Sequence, residues 1–161
     1  MPDSIFVGVD GGRQTGFAVW NKTRTRFEHI TTFTFWECIE ELESLNNYCK
    51  KGGHTLTVVV EDVSANKTTF KRKGIEKWAD DKGIELNERI TNKISRNVGS
   101  VMRETDLLIE WIERKKIKLI KSRPTKKSFT KLKSDTFNNI TKLQQETNQH
   151  ERDACGLVFE R

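Results

Sequence analysis

Asp10, Glu61, His150 and Asp153 are the residues of this sequence whose types and spacing suit chemistry. Asp10 closes the apolar run Ile5-Phe-Val-Gly-Val, and Glu61 closes the β-branched run Thr55 to Val60. His150 and Asp153 lie three apart in a helical pattern, so they share one helix face. A carboxylate placed where a buried strand runs out is costly unless a cation or a hydrogen-bond donor meets it. Three carboxylates and an imidazole gathered at one point repel one another unless a cation lies between them. Hard oxygen ligands with one imidazole suit Mg²⁺ or Mn²⁺, two ions per site. Each residue also has an ordinary reading. Asp10 would start a turn, Glu61 would be a solvated strand end, His150 would cap a helix, and Asp153 would pair with Arg152 or Arg96. The order strand-Asp, strand-Glu, helix-His-x-x-Asp favours the metal site.

The elements that must position these residues can be read in turn. Ile5 to Asp10 is apolar on both faces, as a central strand buried on both sides would be. Gly11, Gly12 and Gly16 supply a tight turn into a second strand ending at Trp20, and Arg26 to Phe33 reads as a third. Thr34 and Glu37 have capping-box spacing, and Phe35, Ile39, Leu42, Leu45 and Cys49 follow at helical spacing up to Gly52-Gly53. Residues 64–94 lack apolar periodicity and read as a long excursion, with a short helix near Gly74–Asp81. Ser95 to Lys116 is helical, with Val98, Val101, Met102, Leu108, Ile109 and Ile112 in one stripe and Leu107 and Trp111 on a second apolar edge. Ile117 to Ile120 is a short fifth strand. Ser134 is placed to cap a helix carrying Phe137, Ile140 and Leu143, and Gln149 to Phe159 forms a last helix. The small Ala154 and Gly156 would let that helix approach the sheet closely.

The chain fits a single domain, 1–161, without repeats. Its net charge of +6 suits a polyanionic partner. Cys38, Cys49 and Cys155 are far apart and odd in number, as in a reduced cytoplasmic protein. No stretch approaches the ~20 apolar residues of a membrane span, and no signal peptide is recognised.

Three motifs, Gly8-Val-Asp10-Gly-Gly-x-x-Thr-Gly16, Val58-Val-Val-Glu61 and His150-Glu-Arg-Asp153-Ala154, resemble the signature of the RuvC-like Holliday junction resolvases, in the RNase H-like superfamily. The resemblance implies an α/β, RNase H-like fold with a five-stranded mixed sheet in order 3-2-1-4-5, first three strands antiparallel, flanked by helices. It implies a homodimer that makes paired nicks in four-way DNA junctions, in a bacterial cytoplasm or that of a phage's host. By position it makes Asp10, Glu61, His150 and Asp153 the metal-binding catalytic set. Ser95-Arg-Asn-Val-Gly-Ser-Val-Met102 resembles the start of the family's dimer helix, which assigns Val98, Met102, Leu107 and Trp111 to the interface. Residues 64–94 depart from the family, being longer and more charged.

Arg114 to Lys133 carries ten Lys or Arg in twenty positions and no acid, next to where the carboxylates should gather. A charge run is ordinarily a solvated face; here Lys121, Arg123, Lys126 and Lys127 are expected to hold phosphate. Lys126 and Lys127 resemble the basic loop of the family near the metals. In the long excursion, Lys67, Lys71, Arg72 and Lys73 are expected on DNA, while Phe70 and Trp78 either stack on opened bases or anchor the loop. Other readings are a ribonuclease H or transposase-type nuclease, a non-catalytic DNA-binding module, and an actin-like phosphate binder. The last needs two such domains, which 161 residues do not hold.

Overall fold

β1 (Ser4–Asp10) lies at the centre of a five-stranded mixed sheet, as its two apolar faces require. The structure is a computed structural model describing residues 1–62, 79–83, 88–123 and 129–161. β2 (Thr15–Asn21) pairs antiparallel with β1, and β3 (Arg26–Phe33) antiparallel with β2. β4 (Thr55–Glu61) and β5 (Lys118–Ser122) continue the sheet in parallel on the other side of β1. The order β3-β2-β1-β4-β5 is the expected one.

Helices cover both faces. On one, α1 (Phe35–Gly52) and α2 (Glu88–Arg114) bury Leu42 and Ile112 against Val7, Val9, Phe17, Val58 and Val60. On the other lie a 3₁₀ turn (Phe129–Lys131), α3 (Ser134–Thr141) and α4 (Gln149–Val158). Here Phe137, Ala154, Cys155 and Val158 meet Ala18, Trp20, Ile30 and Val59. Successive strand residues thus alternate between two cores, and each strand's parity tells which helices its side chains face.

The local signals act as read. Thr34 accepts from the Glu37 amide while Glu37 accepts from the Thr34 amide at 2.8 Å, and Gly53 ends α1 with φ of +67°. α2 is already helical at Glu88, ahead of the expected Ser95, and Ile90 and Ile94 carry the sequence spacing of the later stripe. β5 runs Lys118–Ser122 rather than Ile117–Ile120. Ser134 is the first helical residue of α3; the cap position is Lys133, which makes no side-chain capping bond. Of the expected short helix, residues 79–82 are helical and Gly83 has φ of +63°; its earlier part lies outside the described residues. The three cysteines are free and buried, and burial pushes the Cys38 thiol up to about 12, so thiolate chemistry is not open to it. Among the described residues no helix is long and apolar enough to cross a membrane.

Candidate functional site

Strand pairing lays one row of residues across the whole sheet. Thr32 pairs with Gly16, Gly16 with Asp10, and Glu61 with Ser122. The parallel pairing of Val9 with Val60 sets Asp10 beside Glu61. Val9, Val60 and Phe17 all belong to the core under α1 and α2. By alternation the next residues, Asp10, Glu61 and Gly16, turn to the α4 face. The two carboxylates expected at strand ends are therefore neighbours on one face, at the ends of adjacent parallel strands.

α4 lies directly on this row because the sheet beneath it is bare. A Cβ at Gly16 would stand 2.0 Å from the His150 carbonyl oxygen, and one at Gly8 would stand 2.1 Å from that of Ala154. The closeness expected from Ala154 and Gly156 thus comes from Ala154 against Gly8. Gly156 looks instead onto the Phe129 ring, where a Cβ would make an ordinary contact at 3.5 Å. Seated this way, His150 brings Nδ1 to 3.1 Å from Asp10 Oδ2. An ionised carboxylate only accepts, so toward ionised Asp10 it is Nδ1 that donates.

Three further residues fasten the first turn of α4. Asn148 and Glu151 form a capping box, with Glu151 N donating to Asn148 Oδ1 and Asn148 N donating to Glu151 Oε2, each at 2.9 Å. Thr32 joins it from β3, accepting from Asn148 Nδ2 at 2.7 Å and donating to Glu151 Oε1 at 3.1 Å. On the opposite side of the sheet α2 presses on the turn after Asp10, and a Cβ at Gly11 would stand 2.8 Å from Thr105 Oγ1.

The electrostatics mark this as a crowded acidic site. Burial pushes the Glu61 carboxyl up to about 7, helped by the charges of Asp10 and Asp153 and by a hydrogen bond to Asp10. Asp10, itself buried, is also raised by desolvation, while its bonds to His150 and Glu61 pull the other way. Below about pH 7 the protonated Glu61 carboxyl can donate to Asp10. Asp153 stands close enough for its charge to act on Glu61. His150 and Glu61 thus both bond Asp10, and the charge of Asp153 acts on Glu61. Among the described residues no three or more His, Cys, Asp or Glu side chains are already arranged to hold a metal ion. The donor set fits a hard divalent cation in kind, and taking one up requires the proton to leave and the side chains to close in.

The chain matches no family model, no curated protein and no solved structure. Its chemistry rests on the residues themselves.

Other residues singled out by sequence fall in several places. Lys121 has the parity of Leu119, so it faces α2, where Nζ pairs with Glu113 Oε1 at 3.2 Å. It lies on the far side of the sheet from Asp10. Arg123, just past β5, is exposed. Lys67, Phe70, Lys71, Arg72, Lys73, Trp78, Lys126 and Lys127 lie outside the described residues. Val98 falls within α2, its side chain undescribed, while Met102 is half-buried. Leu107 and Trp111 line an apolar groove of about 220 Å³ with Phe35, Trp36 and Ile39 of α1. Trp36 is 72% exposed, the most open of these, and its part in the groove could not be seen from its position inside a capping box. Sequence reasoning also missed Thr32, whose only signal is pairing register, and the seat that Gly8 gives Ala154, although Gly8 stands in the first motif.

Proposed function

We propose that this chain is a metal-dependent endonuclease acting on branched DNA, of the RuvC-like type within the RNase H-like fold. The observation that supports the reading is the placing of Asp10 beside Glu61 on one sheet face, with α4 bringing His150 to Asp10 and the charge of Asp153 within reach of Glu61. Sheet order and strand directions agree with that fold.

Asp10, Glu61, Asp153 and His150 would hold Mg²⁺ or Mn²⁺, which when bound supplies an activated water and charge stabilisation at the scissile phosphate. Glu61 gives up its proton as the site fills. Toward ionised Asp10 His150 donates through Nδ1, so in the neutral imidazole Nε2 is the ring nitrogen with a lone pair. The deep placement of Asp10, with α4 above it and the Thr105 contact behind Gly11, keeps the carboxylate from swinging away. The basic run Arg114–Lys133 and the basic residues of the 64–94 segment supply affinity for the phosphate backbone. Paired nicks need two sites in one complex, and the groove of Phe35, Trp36, Leu107 and Trp111 supports a homodimer.

Incubating the protein with a four-way junction, a linear duplex and an RNA–DNA hybrid, each with Mg²⁺ or Mn²⁺, tests the reading. Symmetric nicking of the junction with little cutting of the others is the expected result. Preference for the hybrid would make it a ribonuclease H, and binding without cutting in either metal would make it a DNA-binding module.

A further inference from the structure

The contact between α4 and β2 is close but gives no directional grip. Gly16 offers no side chain, so among the described residues β2 makes no hydrogen bond through a side chain at the first turn of α4. Its packing through Ala18 and Trp20 meets the helix further along, at Ala154, Cys155 and Val158. That grip comes from the next strand. The single hydroxyl of Thr32 is used twice, accepting from Asn148 Nδ2 and donating to Glu151 Oε1. Glu151 Oε2 in turn accepts from the Asn148 amide, and the Glu151 amide donates to Asn148 Oδ1. The four bonds close a ring around the helix start, and His150 lies between its two helical members. Thr32, Gly16 and Asp10 stand side by side in one row of the sheet. The threonine that holds the helix and the aspartate that meets the histidine are therefore fixed to the same rigid backbone.

We infer that Thr32 is a positioning residue for the site: through the Asn148–Glu151 capping box it sets where His150 stands relative to Asp10. The importance of that placement for metal use rests on the proposed function; the placement itself does not. Hydrogen bonds have directional geometry, and the β3–β2–β1 pairing is in regular register from Thr32 to Asp10; the β2–β3 pairing shifts register only further along, between Val19 and Trp20 of β2. Loss of the hydroxyl leaves the capping box intact but removes the two bonds that tie it to β3.

The test uses the full chain without metal. Thr32→Val keeps the branched shape that suits a strand and removes both bonds. Thr32→Ser keeps them. Thr31→Val, on the other face of β3, makes the same change without touching the ring. The readouts are the His150 imidazole nitrogen shifts by NMR and the affinity for Mn²⁺ alone by calorimetry. In Thr32→Val the His150 shifts should move toward those of Asp10→Asn, and Mn²⁺ should bind roughly tenfold more weakly, as when a residue orienting a ligand is lost. Thr32→Ser and Thr31→Val should match wild type in both. Wild-type His150 shifts in Thr32→Val would overturn the inference, as would an equal effect from Thr31→Val. Wild-type Mn²⁺ affinity in Asp10→Asn would instead remove the metal reading, with the His150 shifts still deciding the role of Thr32.

Discussion

The backbone of His150 rests on Gly16 so closely that a Cβ there would stand 2.0 Å from the histidine carbonyl oxygen. The atom met is backbone, so it cannot be turned aside as a flexible side chain could. Gly16→Ala must therefore lift the start of α4 off the sheet. Overpacking of this kind costs about 1–3 kcal/mol. Thermal unfolding should show that loss. Cleavage should fall further than stability, because the lifted turn carries His150 away from Asp10.

Glu61 gives the metal-free protein a pH dependence of definite sign. Its carboxyl is raised from 4.5 to about 7 in the folded chain, so between those values the folded form holds a proton that the unfolded form releases. Stability contributed by that proton is present at low pH and is lost as pH rises toward 7. A cation takes the proton's place, so metal affinity should change the opposite way, rising with pH and levelling off above about 7. Melting curves in chelator from pH 5 to 8 should show the fall in Tm over this window, and Glu61→Gln should flatten it.

DNA affinity should depend steeply on salt, with each phosphate neutralised adding ~0.9 to the slope of log affinity against log salt. Lys126→Ala with Lys127→Ala should reduce that slope by one to two phosphates' worth and slow cleavage. Lys121→Ala should do less on both counts, because Lys121 faces α2 and is paired with Glu113. Filter binding across a salt series compares the two variants directly.

The groove of Phe35, Trp36, Ile39, Leu107 and Trp111 makes α1 as well as α2 part of the expected dimer surface. An aromatic anchor lost from an interface costs roughly 2 kcal/mol or more, about thirtyfold in dissociation constant. Sedimentation should therefore find Trp36→Glu with Leu107→Glu largely monomeric at concentrations where wild type is paired. The double variant should still nick single strands while losing concerted cuts.

Much of this site is legible in the chain because its signals are local. Asp10 and Glu61 announce themselves by ending apolar runs, and Thr34 with Glu37 sets the start of α1 by adjacent residues alone. What escapes is what depends on pairing between distant segments. Gly16 reads as a turn glycine; its use as the seat of His150 needs the packing of α4, more than a hundred residues away. Thr32 looks like any β-branched strand residue until register sets it opposite Gly16. Lys121 shows the same dependence in reverse. A shift of one position flips every side chain of a strand, and β5 runs to Ser122, with Ser122 beside Glu61 and Lys121 on the other face.

The central claim is that Asp10 belongs to a metal site whose work is cleavage, separate from the lysines that hold DNA. Asp10→Asn keeps the shape and removes the charge. With a four-way junction and saturating Mg²⁺, the variant should bind as tightly as wild type or slightly more so, having lost an anion near phosphate. Its cleavage rate should drop roughly 10³-fold, the equivalent of several kcal/mol of lost charge stabilisation. An Asp10→Asn protein that cuts the junction at a rate close to wild type would contradict the account.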